Sequence, residues 1–99
     1  MITIKNFRNN KVAQPWQVRV DRGSPFGNPY RMENESQRDN VCDMFEEYFK
    51  KHIGWFNAEL DRLIKIYKSY GKLELLCWCA PKRCHAETIK RWLEEQNRL

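Results

Sequence analysis

No apolar run in this chain approaches the roughly 18–20 residues that span a bilayer. The opening Met1-Ile2-Thr3-Ile4-Lys5 lacks the long apolar stretch of a secretory signal. The expectation is therefore a cytoplasmic protein with no membrane partner. Internal repeats, linkers and low-complexity tracts are absent, which argues against a solenoid or a flexible interaction tail. There is no Walker loop and no Gly-x-Gly-x-x-Gly fingerprint. Cations are spread along the chain, with no dense basic stripe. A formal net charge of +5 therefore points to anionic partners without pointing to nucleic acid. No obvious pair of catalytic carboxylates stands out.

What is present is enough for one domain over residues 1–99. Aromatic residues make up 13% of the chain, bulky material for a core of this size. Residues 2–5 read as a short strand with Ile2 and Ile4 on one face. Residues 7–15 are polar and read as loop. Trp16, Val18 and Val20 alternate with polar neighbours, the period of a half-buried strand. Ser36 and Asp39 have the spacing of a capping box. Val41, Met44, Phe45, Tyr48, Phe49 and Ile53 then share a helical face, with Gly54 as the expected stop. Asn57 is the expected cap of a second helix, carrying Leu60, Leu63, Ile64, Tyr67 and Tyr70 and closed by Gly71. A strand follows over 73–79, with Leu73, Leu75, Cys77 and Cys79 on one face. An amphipathic helix runs from Ala86 to Gln96, with Ile89, Trp92 and Leu93 inward.

Two helices between the strands near 18 and 76 allow a crossover and hence a parallel pair. The expected fold is a small α/β domain, Rossmann-like in a loose sense, with a mostly parallel sheet flanked by helices. In such sheets ligands bind beyond the carboxyl ends of the strands. Two unusual loops follow strands here, so a parallel arrangement would place both at one edge.

The first loop is Asp21-Arg22-Gly23-Ser24-Pro25-Phe26-Gly27-Asn28-Pro29-Tyr30. Arg22 offers a fork of donors suited to phosphate. Ser24 and Asn28 add directional hydrogen bonds. Gly27 lets a ligand approach the main chain. The same residues also suit a rigid turn that packs Phe26 and Tyr30 on the core. The second stretch, Cys77-Trp78-Cys79-Ala80-Pro81-Lys82-Arg83-Cys84-His85, puts three of the four cysteines and one of the two histidines into nine positions.

Gly27-Asn28-Pro29-Tyr30, taken with Cys77, Cys79, Pro81, Cys84 and His85, resembles the family called domain of unknown function 4326. That family occurs in bacteria and many phages. It carries a Gly-Asn-Pro-aromatic loop early and a Cys-x-Cys-x-Pro-x-x-Cys-His element late. The resemblance covers about residues 16–96. Phe26 stands where the family often has tryptophan. The resemblance implies a shared fold and a shared site at these positions, without an activity. Phage occurrence implies one concrete version of function, sequestration of a nucleotide signal of host defence.

Three chemistries suit the Cys and His cluster. Cys77, Cys79, Cys84 and His85 are four donors of the kind tetrahedral zinc takes. Their compressed spacing differs from the separated knuckles of structural zinc sites. Cys84, at a helix start beside Lys82 and Arg83, could instead be a thiol whose thiolate is favoured, with His85 as base. The Cys-x-x-Cys spacing of thioredoxin-like proteins is absent. The third chemistry is a ligand pocket. Cys77 and Cys79 would be wall residues, and Lys82, Arg83 and the backbone N–H groups near 84–87 would take an anion. His85 would orient the ligand, and Trp78 or Phe26 would stack on a ring. Cys42 reads as an ordinary buried residue.

The reading carried forward is recognition of a phosphorylated, nucleotide-like small molecule between loops 22–29 and 80–87. Its residues are Arg22, Ser24, Gly27, Asn28, Cys77, Cys79, Lys82, Arg83, Cys84 and His85, with no metal and no cofactor assigned. One alternative is a nucleotide hydrolase or an enzyme cleaving an N-glycosidic bond, with Asp21 or Glu87 as acid or base. Another is a zinc-stabilised binding module. Trp55 and Phe56, between the two helices, are material for a homo-oligomer contact or for the core.

Overall fold

The computed structural model describes residues 2–6, 8, 14–21, 24–79 and 82–96. Strands β1 (Ile2–Asn6), β2 (Gln17–Arg19) and β3 (Leu73–Cys77) form one sheet with β3 in the centre. Both pairings are parallel, and Ile4 and Val18 each lie opposite Leu75. A turn of 3₁₀ helix (Glu35–Gln37), helix α1 (Arg38–Lys51) and helix α2 (Ile53–Tyr70) make the crossover from β2 to β3. Helix α3 (Ala86–Glu94) follows β3 and packs on β1 and β3. The result is a small Rossmann-like α/β fold, a parallel sheet flanked by helices.

The core forms where the apolar faces meet. Leu73, Leu75, Leu76 and Cys77 of β3 are all buried, as expected of a central strand covered on both sides. Phe45 and Phe49 from α1, Phe56, Leu60 and Leu63 from α2, and Ile89 and Leu93 from α3 close around them. Phe26 belongs to this core. Its ring lies parallel to that of Phe56 with centroids 5.8 Å apart. It is therefore not available to stack on a ligand.

Several boundaries differ from the sequence expectation, each for a local reason. Ser36 does not cap α1. It lies inside the 3₁₀ turn, where Asn34 Oδ1 accepts its backbone N–H. Gly54 does not end a helix. The break falls at His52, whose backbone leaves helical geometry (φ −110°, ψ 27°), and Phe49 meets Phe56 across the corner with centroids 5.1 Å apart. Asn57 consequently lies within α2 and caps nothing. Gly71 does stop α2, in the left-handed region at φ 71°, with its N–H donating to Tyr67 O at 2.7 Å. β3 ends at Cys77, so Trp78 and Cys79 lie in the bend beyond it. Trp16 precedes β2, with its ring under Lys72 Nζ at 3.9 Å.

Candidate functional site

The carboxyl ends of β2 and β3 point the same way, and the two loops that leave them are joined by side chains. Trp78 Nε1 donates to Asp21 Oδ2 at 2.8 Å. The His85 ring nitrogen Nε2 bonds to the Val20 carbonyl. Asp21 is 5% exposed. Arg19 holds it by a fork, Nε to Oδ1 and Nη2 to Oδ2, both at 2.8 Å. Each carboxylate oxygen thus receives a charge-assisted bond. His85 is buried as well, with its ring edge-on to Phe45 at 5.1 Å between centroids.

These groups border a cavity of about 400 Å³. The loop after β2 contributes Asp21, Asn28 and Tyr30, with Met32 just beyond. The segment after β3 contributes Trp78, Cys79, Arg83, Cys84 and His85. The first turns of α1 contribute Arg38, Val41 and Cys42. The volume lies in the range of small-molecule sites, about 300–1,000 Å³, and apolar walls with a few convergent polar groups are the usual composition. Trp78 is 52% exposed although hydrogen-bonded. Its indole is therefore fixed in orientation while still presenting surface.

The expected site residues divide. Asn28, Cys79, Arg83, Cys84 and His85 border the cavity. Arg22 lies outside the described residues. Ser24 serves the loop itself: its Oγ donates to Asp21 O at 2.7 Å and accepts the Phe26 N–H at 3.2 Å. Gly27 continues the turn by donating its N–H to Ser24 O. Asn28 Oδ1 accepts the Tyr30 N–H at 2.9 Å. Cys77 lies behind the wall, 1% exposed, because β3 buries it against the core. Lys82 does not reach this cavity. It borders a second groove beside β1 and α3 and pairs with Glu35 at 3.3 Å.

Two further expectations are corrected. At the start of α3, N–H groups expected to take an anion already have partners within the chain. Glu87 Oε2 accepts the Cys84 N–H at 3.2 Å, while the Glu87 and Thr88 N–H groups donate to the Cys84 and His85 carbonyls. Glu87 therefore ties Cys84, just before the helix start, to the first turn of α3 and does not border the main cavity. Nor is Cys84 an activated thiol. Its Sγ lies 3.0 Å from Cys77 Sγ. That contact, followed by burial, pushes its ionisation far above the ordinary thiol range. Among the described residues, no group of three or more His, Cys, Asp or Glu side chains is placed to hold a metal ion.

Sequence reasoning missed Arg38, and it also missed that Cys42 borders the cavity. Arg38 links α1 to the second loop. Its Nη1 donates to Arg83 O at 2.9 Å while its other nitrogens grip Glu35. Arg83 reciprocates, donating to Asp39 Oδ1 at 3.0 Å and Asp43 Oδ1 at 2.7 Å. Lys82 to Glu35 completes the clasp. The carboxylates keep both guanidiniums more firmly protonated than usual, Glu35 for Arg38 and Asp43 then Asp39 for Arg83. Arg38 and Lys82 in turn lower Glu35 to about 2. A signal for Arg38 was present in the sequence. A cation in the first turn of a helix opposes the helix dipole, and such a placement calls for another reason.

Fold and cavity together define a small parallel α/β domain with a candidate ligand site at the carboxyl edge of its sheet. The family model described as Domain of unknown function (DUF4326) matches residues 4–95. The chain belongs to that family. No curated protein and no solved structure matches it. Among the described residues, no helix is long and apolar enough to cross a membrane.

Proposed function

We propose that the cavity binds a nucleotide-like small molecule, with its ring held beside Trp78 and its phosphate at the Arg38–Arg83 edge. The observation that carries this reading is the convergence on one cavity of an oriented indole, a buried histidine and two arginines. The position agrees with it, since open parallel sheets take ligands beyond the carboxyl ends of their strands. Trp78 offers a flat apolar face to a ring. Arg38 and Arg83 offer planar donors to an oxyanion.

The charge arrangement shapes the expected binding. Arg83 already holds Asp39 and Asp43, so an incoming phosphate competes with these carboxylates. Binding is therefore expected to be moderate and to weaken as salt rises. The test is calorimetric titration of the full chain with a panel of nucleosides and their monophosphates. The phosphorylated member of a pair is expected to bind about tenfold tighter, an increment of ~1.4 kcal/mol. Arg83→Ala is expected to erase that difference. Equal affinity for nucleoside and nucleotide, or no binding across the panel, would overturn the assignment.

A second reading, cleavage of the nucleotide at this site, is favoured by one observation: Asp21 is a buried carboxylate on the cavity. Both its oxygens already accept donors from Arg19 and Trp78. That arrangement suits an anchor better than a free base. Intact nucleotide recovered after long incubation supports a binder, including one that sequesters a nucleotide signal. Product that disappears in Asp21→Asn supports the enzyme.

A further inference from the structure

We propose that Cys77 and Cys84 are an oxidative modification site, joined into a reversible disulfide by a small peroxide. The two Sγ atoms lie 3.0 Å apart, roughly one ångström beyond a covalent S–S bond of ~2.05 Å. Neither is part of a disulfide in this structure. Both belong to the core cluster, one as the last residue of β3 and the other two residues before α3. Bond formation therefore asks for a small closing movement and not for a rearrangement. The inference is independent of what the cavity binds.

Access decides the order of events. Cys84 borders the cavity, whereas Cys77 is 1% exposed and lies behind it. A peroxide entering the cavity meets Cys84 first. The Cys84 sulfur reacts through the small thiolate fraction that its Cys77 contact and burial leave it, so the oxidation is slow. It attacks one peroxide oxygen, the O–O bond breaks, and a sulfenic acid and one water form. The Cys77 sulfur then displaces the sulfenic hydroxyl. The S–S bond forms, the S–O bond breaks, and the hydroxyl leaves as a second water with the Cys77 proton. Two thiols lose two electrons, and hydrogen peroxide gains them to become two waters. A dithiol reductant reverses the bond by exchange. The segment enclosed by the link carries Trp78, Cys79 and Arg83, three residues that border the cavity. Oxidation thus ties down one side of it.

Cys42 and Cys79 border the same cavity and supply the rival pairings. The experiment treats the folded full chain with hydrogen peroxide, unfolds it in the presence of an alkylating agent, and maps the tryptic peptides without reduction. Trypsin cuts after Lys82 and Arg83, so the expected link joins two peptides, and fragmentation separates Cys77 from Cys79. The expected result is a Cys77–Cys84 cross-link, two hydrogens lighter than the reduced pair and reversed by dithiothreitol, with Cys42 and Cys79 alkylated. A link through Cys79 or Cys42 overturns the assignment. So do four alkylated thiols under conditions that oxidise the urea-unfolded chain. Cys77→Ala and Cys84→Ala are each expected to abolish the link, and the wild-type map decides alone should either variant fail to fold.

Discussion

On the sheet side of the cavity, Asp21, Asn28 and His85 are buried and bonded to backbone groups or to side chains of fixed position. On the α1 side, Glu35, Arg38, Asp39, Asp43, Lys82 and Arg83 form ion pairs with at least one partner well exposed. The two sides use similar chemistry in different dielectric surroundings. Buried polar groups are expensive to leave unpaired, whereas exposed ion pairs contribute little because water solvates either partner once the pair opens. The sheet side is thus expected to govern stability. If the cavity takes the phosphate proposed above, the α1 side is expected to govern that selectivity.

The largest effect that can break this contrast is at Asp21. Asp21→Ala removes the acceptor of Trp78 Nε1 and the buried partner of Arg19. Severing a buried pair typically costs about 3–5 kcal/mol. Arg19 is half exposed and recovers water, so about 2–3 kcal/mol is expected. For a domain of this size that lowers Tm by roughly 10–20 °C. Asp21→Asn keeps an acceptor and is expected to lose about half as much. Thermal unfolding checks both. A loss under ~0.5 kcal/mol for Asp21→Ala would place the sheet side in the same energetic class as a surface pair.

His85 comes next. His85→Ala removes an imidazole that packs edge-on to Phe45 and leaves the Val20 carbonyl without its ring partner. The expected cost is about 1–2 kcal/mol, from one hydrogen bond and a partly filled void. His85→Gln, which can still donate toward Val20 O, should recover part of it. Denaturant midpoints with an unchanged slope would show that stability alone has moved. Recovery by Gln equal to wild type would assign the whole effect to the hydrogen bond.

The same contrast explains what could be read from the sequence. The succession of strands and helices along the chain, the parallel crossover and the Gly71 stop follow from apolar spacing and one left-handed position, signals that are local. Trp78 past the strand end, the loop roles of Ser24 and Gly27, and the burial of Cys77 depend on which neighbour arrives from elsewhere in the chain. Gly54 and Asn57 show the limit at the helix corner. Both are good punctuation in isolation, but packing of Phe49 on Phe56 moved the break to His52. The Cys and His motif located the cavity. It could not show that Glu87 would accept the Cys84 N–H, or that Arg38, some forty-five residues before Arg83, would border the same cavity.

Arg83→Ala tests the α1 side. Its pairs with Asp39 and Asp43 are exposed on the acidic side, so a stability change of about 0.5 kcal/mol or less is expected. The same variant is expected to lose about tenfold in nucleotide affinity, ~1.4 kcal/mol, with nucleoside affinity unchanged. A variant that instead melted as early as Asp21→Ala would show that the clasp holds the fold together and is not merely a rim.

The smallest effect sharpens the contrast by pH. Glu35 faces Arg38 first and Lys82 second, and these hold its carboxyl at about 2 against an ordinary value of 4.5. A carboxyl lowered on folding adds stability that is fully present above about 4.5 and is lost as pH falls toward 2. Glu35→Gln should therefore match wild type at the acid end and fall slightly below it at neutral pH. Because Glu35 is solvent-exposed, the separation is expected to be small and to shrink as salt is added. A carbon-detected titration of the Glu35 carboxyl gives the direct reading. A midpoint near 4.5 would mean that Arg38 and Lys82 do not hold it in solution. The α1 side would then be a set of independent charges, with Arg38 turned toward the cavity and already available to an anion without competition.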